Sequence, residues 1–311
     1  MVSERKRLMN LHIKYRPTKL SAVVGNEKAV ATVSRLAERG FPHAVLLTGP
    51  SGCGKTTMAR IIRRLVGCTR EDYQELNTAD FRGIDTMREL RERMAYAPMG
   101  KGKARVWLLD ECHRLTGEAQ DAVLKLLEDT PSHVYLVLAT TEPGRLITTI
   151  RNRCTMIEMQ PLREEQLKEL VLRVAKAEEI HVEAEAADLI VAGAAGSARA
   201  ALVRLGTVAG ADAASAREIL ERMQEEQKEA IELCRLLIKG GRWAEVSKLL
   251  RKLEGQDPEG IRRLCLAYFS KVLLGGNSRA FLVMDAMREP FYATGFPGLV
   301  LACYEIVEGG K

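Results

Sequence analysis

Aromatic side chains are scarce in this chain of 311 residues, where two Trp, seven Tyr and six Phe make up only 5%. So few rings point to aliphatic, helix-rich cores. Long apolar runs are missing as well. No stretch approaches the ~20 residues of a membrane-spanning helix, so no membrane partner is expected. Residues 1–10 are basic and carry no apolar segment, which argues against a secretory signal. The seven cysteines, at 53, 68, 112, 154, 234, 265 and 303, include no C-x-x-C pair. No His pair stands nearby at ligand spacing, so a zinc site is not expected. An odd, scattered set of cysteines fits reduced thiols in a cytosol-like compartment. Neither sign of charge dominates: Lys and Arg number 47, Asp and Glu 41, for a net +6. That balance permits a nucleic-acid partner without demanding one. There is no low-complexity tail and no detectable repeat.

What is present is a sequence of two textures. Residues 43–160 alternate strand and helix. His43–Thr48, Tyr73–Asn77, Arg105–Asp110, His133–Ala139 and Thr155–Met159 are short apolar runs separated by helical patterns. Nearly continuous apolar strands between helices predict a parallel five-stranded sheet covered on both faces. From Leu162 onward no run reads as a strand. Leu162–Ala177, Ala184–Ala192 and Ser197–Ala209 read as helices of a small domain. A polar helix follows Ala211-Asp212. About four amphipathic helices are expected from Ile231 to the end, split at 240–241, 255–258, 275–277 and 295–297. The expected domains are 1–160, α/β; 161–215, helical; and 216–311, all-helical.

The run from Gly49 to Thr56, G-P-S-G-C-G-K-T, has the spacing G-x-x-x-x-G-K-T between a strand and a helix. That context is what the phosphate-binding loop requires. Glycines at 49, 52 and 54 let the backbone wrap closely, with N–H groups turned inward toward phosphate oxygens. A helix N-terminus adds a favourable field for an anion. Lys55 supplies a point charge for the outer phosphates, and the Thr56 hydroxyl suits Mg²⁺. Gly49, Pro50, Ser51, Gly52, Cys53, Gly54, Lys55, Thr56 and Thr57 are therefore the expected ATP contacts. A reagent on the Cys53 thiol should block nucleotide entry. Residues 105–111, RVWLLDE, end an apolar strand in two carboxylates. There Asp110 would hold Mg²⁺ through water and Glu111 would polarise the attacking water.

With these motifs in place, the sequence resembles the AAA+ ATPase subunits of sliding-clamp loaders, namely the bacterial DNA polymerase III gamma/tau subunits and the small subunits of replication factor C. Lys14-Tyr-Arg-Pro17 and Val23-Val-Gly-Asn-Glu27 resemble the family's N-terminal segment. The resemblance implies that Tyr15, Arg16, Pro17, Val23 and Val24 pack on adenine. Leu138–Pro143 resembles the sensor 1 strand end, which implies that Thr140 watches the γ-phosphate. Arg151-Asn-Arg-Cys154 resembles the S-R-C motif, with Asn152 in place of serine. Arg153 is then implied to act as a finger on a neighbouring subunit's ATP, although by residue type alone it is a surface arginine near a strand. Gly196-Ser-Ala-Arg199 resembles the lid motif and makes Arg199 sensor 2. The four-cysteine zinc module of the bacterial relatives is absent, with only Cys68 in that interval. Residues 75–84 are closer to replication factor C and residues 124–143 to the bacterial subunit. This mixed character would suit a phage or a divergent replisome.

The resemblance implies an AAA+ sheet domain, a helical lid and a helical collar. It also implies an ATPase that opens a sliding clamp and loads it on primer-template DNA. The partners would be the clamp, DNA and other loader subunits in a pentameric ring, in the cytoplasm or a host cell's cytoplasm. ATP and Mg²⁺ would be its cofactors. A branch-migration motor or helicase loader is the alternative within AAA+. Candidate DNA contacts are Arg82, at the start of a helix expected from Asp80, and Lys101 and Lys103 in a Gly-Lys loop that also reads as an exposed turn. Thr116 is a further candidate, though its simplest role is as a helix N-cap.

Overall fold

The computed structural model describes residues 10–78, 83–99, 101–291 and 294–309. Contacts divide the chain into two compact units, Met1–Ala216 and Arg217–Lys311.

The first unit is built on five parallel strands: β1 (Ala44–Thr48), β2 (Cys68–Asn77), β3 (Ala104–Asp110), β4 (Val134–Thr140) and β5 (Thr155–Glu158). Their order across the sheet is β2-β3-β4-β1-β5. Side chains alternate between the two faces of a strand. Val45 and Leu47, Val106 and Leu108, and Val137 and Ala139 pack on one face. Leu46, Trp107 and Leu109, and Leu136 and Leu138 pack on the other. Both sets are buried, so the strands read as unbroken apolar runs rather than as alternation.

Helices α1 (Leu11–Lys14), α2 (Glu27–Arg39), α3 (Lys55–Leu65), α4 (Ile84–Met94), α5 (Gly117–Glu128) and α6 (Thr148–Arg153) precede or separate the strands. Val33 of α2 with Met58 and Ile62 of α3 cover the first face. Met87 and Leu90 of α4, Val123 and Leu126 of α5, and Ile150 of α6 cover the second. Truncating a fully buried leucine such as Leu108 in such a core costs about 2–5 kcal/mol. Three more helices complete the unit: α7 (Glu164–Ala177), α8 (Ala184–Ala194) and α9 (Ala198–Val208). Among the described residues no strand follows Glu158, as the loss of strand-like runs after Pro161 predicted.

Element boundaries move in places. β2 begins at Cys68 rather than Tyr73, with an irregularity between those residues in its pairing to β3. The polar Arg- and Glu-rich residues of this edge strand concealed it. Helix α4 starts at Ile84, whereas the start expected at Asp80 lies outside the described residues, as does Arg82.

The second unit holds helices α11 (Trp243–Leu253), α12 (Pro258–Leu274), α13 (Arg279–Ala286) and α14 (Gly295–Glu308), and the division between units falls within α10 (Ala213–Lys239). The polar helix and the first amphipathic one are thus a single helix of 27 residues. Nothing in that stretch breaks a helix, and charged residues stay exposed along it, from Arg217 and Glu221 to Glu232, Arg235 and Lys239. Residues 295–297 open α14 rather than separating helices. The break lies upstream, because Pro297 is tolerated in a first helical turn. The buried stripe of α10 is Ala230, Leu233, Cys234 and Leu237. The expected face at Ile231, Cys234 and Ile238 is shifted by about one position, leaving Ile231 and Ile238 at its margin.

Candidate functional site

In an open parallel sheet, ligands bind beyond the carboxyl ends of the strands. Here the register aligns Thr48, the last residue of β1, with Thr140, the last of β4. Asp110 ends β3 beside Asn77 of β2. The loop after β1 therefore opens above the ends of β3 and β4.

That loop needs its glycines. Gly49 has φ 141°, and a Cβ there would stand 2.1 Å from the Met159 carbonyl oxygen. Gly52 has φ 78°, and its Cβ would stand 2.2 Å from Ser197 Oγ. Ser197 in turn caps α9, accepting from the Ala200 N–H at 3.2 Å. Close approach of the loop to α9 thus accounts for the small residues in both segments, and it brings Arg199, two residues on, into the same cleft.

Lys55 is buried, and its Nζ donates to the Gly49 and Pro50 carbonyls at 2.8 and 2.9 Å. The ammonium is held inside the curve of the loop. The Thr56 hydroxyl donates to Asp110 Oδ2 at 2.9 Å, and Asp110 Oδ1 accepts the Glu111 N–H at 3.0 Å. Two hard oxygen donors, Thr56 and Asp110, therefore share one point beside the loop, the donor set that suits Mg²⁺.

Glu111 stands in the left-handed region at φ 55°, a conformation that costs a non-glycine residue about 1 kcal/mol or more. Thr78, fully buried, braces it. Its N–H donates to the Asp110 carbonyl at 3.0 Å, and its hydroxyl lies 3.1 and 2.7 Å from the Asp110 and Glu111 carbonyls. On the other side stands His113, which is buried. Its Nδ1 lies 3.1 Å from Thr140 Oγ1 and 3.5 Å from Glu111 Oε2. Burial lowers the His113 pKa. The carboxylates of Glu111 and Glu142 work against that shift, while Arg114 and Arg145 reinforce it.

The cleft at the loop is lined by Tyr15, Arg16, Pro17, Val23 and Val24 on one side and by residues 51–57 on the other, with Asp110, Glu111 and Arg199. All but Gly49 and Pro50 of the expected nucleotide contacts meet there, and those two carry the carbonyls that hold Lys55. Burial lowers the Arg16 pKa, and the charges of Arg60 and Arg199 lower it further. The Cys53 thiol is buried, and burial raises its pKa, with Lys55 opposing. The thiolate is therefore disfavoured and the sulfur shielded, so reaction with a thiol reagent is expected to be slow.

Thr140 is fully buried and does not itself line the cleft; it is joined to Glu111 through His113. Arg153 lies outside this cleft, on α6, exposed and paired with Glu128. Thr116 caps α5, accepting from the Ala119 N–H at 3.3 Å. Lys101 and Lys103 are exposed in the turn before β3. Sequence reasoning missed Thr78, the coupling through His113, and Arg173, an exposed α7 arginine that also lines the cleft. For Arg173 a signal existed, since it falls one helical turn after Leu170, another lining residue.

Comparison with known proteins bears on the fold and on sequence kinship. The family model described as DNA polymerase III, delta subunit, matches residues 25–163. The chain is 34% identical over 215 residues to DNA polymerase III subunit gamma/tau of Mycobacterium tuberculosis, covering 61% of this chain and 37% of that one. It is 34% identical over 191 residues to the replication factor C small subunit of Haloarcula marismortui, covering 61% of this chain and 59% of that one. The chain thus spans less than two thirds of the length of either of these curated relatives. Among solved structures, the Holliday junction branch migration motor RuvB of Thermotoga maritima superimposes with a TM-score of 0.57 at 24% identity, over 72% of this chain and 79% of that one. A gamma-subunit-related protein of DNA polymerase III from the same organism gives 0.52 at 16% identity, over 90% and 99%. Among the described residues no helix is long and apolar enough to cross a membrane. The chain has the AAA+ fold and is a sequence relative of the DNA polymerase III gamma/tau and replication factor C small subunits.

Proposed function

We propose that the chain is the ATP-hydrolysing subunit of a clamp loader, which uses ATP to open a sliding clamp and place it on primer-template DNA. The observation that carries the ATPase part is the single cleft in which Lys55, Thr56, Asp110 and Glu111 meet. The likeness to gamma/tau and replication factor C small subunits supports the clamp-loading part. The likeness to RuvB is one of fold and brings no task with it.

In this reading the loop amides and Lys55 hold the phosphates. Thr56 and Asp110 would hold Mg²⁺, which when bound neutralises charge on the phosphate oxygens. Glu111 orients the attacking water. Tyr15, Arg16, Pro17, Val23 and Val24 enclose the base, and Arg199 closes on the phosphates from the lid, residues 161–215. Residues 216–311 form the collar of a pentameric ring. Arg153, exposed and away from its own chain's cleft, completes a neighbour's site, so that turnover requires assembly. Arg82, Lys101, Lys103 and Thr116 contact DNA phosphates without reading sequence.

Copurification of the full chain with a ring clamp, with ATPase measured plus and minus primed DNA, tests the proposal. Turnover that rises with clamp and primed DNA is expected. Turnover indifferent to both would turn the reading toward another DNA-associated ATPase.

A further inference from the structure

His113 stands between Thr140, Glu111 and Glu142, and its protons cannot serve all of them at once. Its Nδ1 faces Thr140 Oγ1 at 3.1 Å and Glu111 Oε2 at 3.5 Å, while its Nε2 faces Glu142 Oε1 at 3.6 Å. Glu142 is already paired with Arg145 at 3.0 Å, and its backbone N–H donates to Thr140 Oγ1 at 2.9 Å. The imidazole is buried, so at neutral pH it carries one proton.

That single proton has two places. On Nε2 it points at Glu142, and the Thr140 hydroxyl then donates to Nδ1. Glu111 has no donor from the ring, and the Thr140 proton is turned away from the cleft. On Nδ1 it points at Thr140 and Glu111. Thr140 Oγ1 then accepts twice, from the ring and from the Glu142 N–H, which uses both of its lone pairs. Its own proton is left to donate elsewhere, and a γ-phosphate oxygen is the acceptor that the nucleotide would bring.

We propose that His113 is a positioning residue that couples the γ-phosphate contact of Thr140 to the orientation of Glu111 through the choice between its two tautomers. This rests on the readings of Glu111 as the water-orienting carboxylate and of Thr140 as the γ-phosphate contact. A γ-phosphate that takes the Thr140 proton selects the Nδ1–H form, and the same form puts a donor beside Glu111 Oε2. The carboxylate, already set in its left-handed backbone by Thr78, is steadied when ATP occupies the loop and released when ADP does. Arg114 and Arg145 contribute by disfavouring a second ring proton, which would serve both carboxylates at once and erase the choice.

The test is the imidazole carbon and nitrogen spectrum of the full chain labelled at its five histidines, recorded with Mg²⁺ and either ADP or adenylyl imidodiphosphate. The His113→Asn variant assigns the signal by its loss. If that variant does not fold, removal of the other four histidines in turn assigns it. A shift of His113 from the Nε2–H to the Nδ1–H signature with the triphosphate analogue, and not with ADP, is expected. The same signature in both states overturns the inference.

Turnover of the full chain with its copurifying subunits gives a second reading. His113→Ala should lower kcat about tenfold to a hundredfold at unchanged KM. Combining it with Thr140→Val should cost little more than Thr140→Val alone, because the coupling is already lost with the hydroxyl. Fully additive losses overturn it. Wild-type turnover in Glu111→Gln would remove the underlying reading as well. Loss of turnover in Glu111→Gln beside a fixed His113 signature overturns the coupling alone.

Discussion

Glu111 in the first unit and Glu259 in the second are both held by ordered neighbours, and they are held in opposite ways. Glu259 is saturated. Arg262 donates to it through Nε at 2.8 Å and Nη2 at 2.6 Å, Arg263 Nε at 3.2 Å, and the Phe291 N–H at 3.0 Å. Arg262 goes on to the Met287 and Arg288 carbonyls at 2.9 and 3.2 Å, so the cluster pins the turn after α13 to α12. Glu111 carries strained backbone, a side chain about one third exposed and a single ring nitrogen at 3.5 Å. A carboxylate with every lone pair taken builds structure. One whose backbone is over-determined and whose oxygens are kept open to the cleft is equipped for chemistry.

The comparison can be broken most sharply on the catalytic side. Arg153→Ala, which removes the proposed finger, should cut clamp- and DNA-stimulated hydrolysis by about 10³-fold or more while nucleotide affinity stays unchanged. Undiminished turnover in the variant would end the idea of a site completed in trans. Lys55→Ala deletes the cation inside the loop. It should weaken ATP binding about a hundredfold, read by fluorescence titration, without lowering the melting temperature. A folding defect instead would make Lys55 a structural residue like Glu259.

Glu259→Gln should do the reverse, destabilising the second unit by about 2 kcal/mol and leaving ATP binding intact. The Arg262 hydrogen bonds foremost, against the cost of burial, hold the Glu259 pKa down at about 2. A carboxylate depressed in the folded state stabilises above its unfolded value near 4.5 and loses that contribution as pH falls toward 2. Denaturant melts should show the wild type losing stability through that window and Glu259→Gln losing less. Parallel curves would mean that the carboxylate charge contributes nothing.

Much of the first unit was legible in order. The run RVWLLDE announces itself because a strand buried on both faces must be apolar throughout, and its two carboxylates fall at the one end where ligands bind. The glycine loop at 49–54 is legible for a similar reason, since glycines at fixed spacing answer a local backbone demand. Longer-range features were not. The continuity of α10 was hidden, because apolar residues that become dense only from Ala230 onward mimic a boundary. The start of β2 was hidden because an edge strand tolerates charge.

By itself, then, the sequence determined the strand cores, the glycine loop at 49–54 and the pair Asp110-Glu111. Each depends on residues adjacent in the chain, where sterics and burial act over a few positions. Only the tertiary structure decided that Thr78 braces Glu111, that His113 joins Glu111 to Thr140, and that Gly52 meets Ser197. The first two meetings follow from the sheet order, which sets β2 and β4 on either side of β3. No local pattern encodes which strand end will face which, because that is settled by packing the whole core at once.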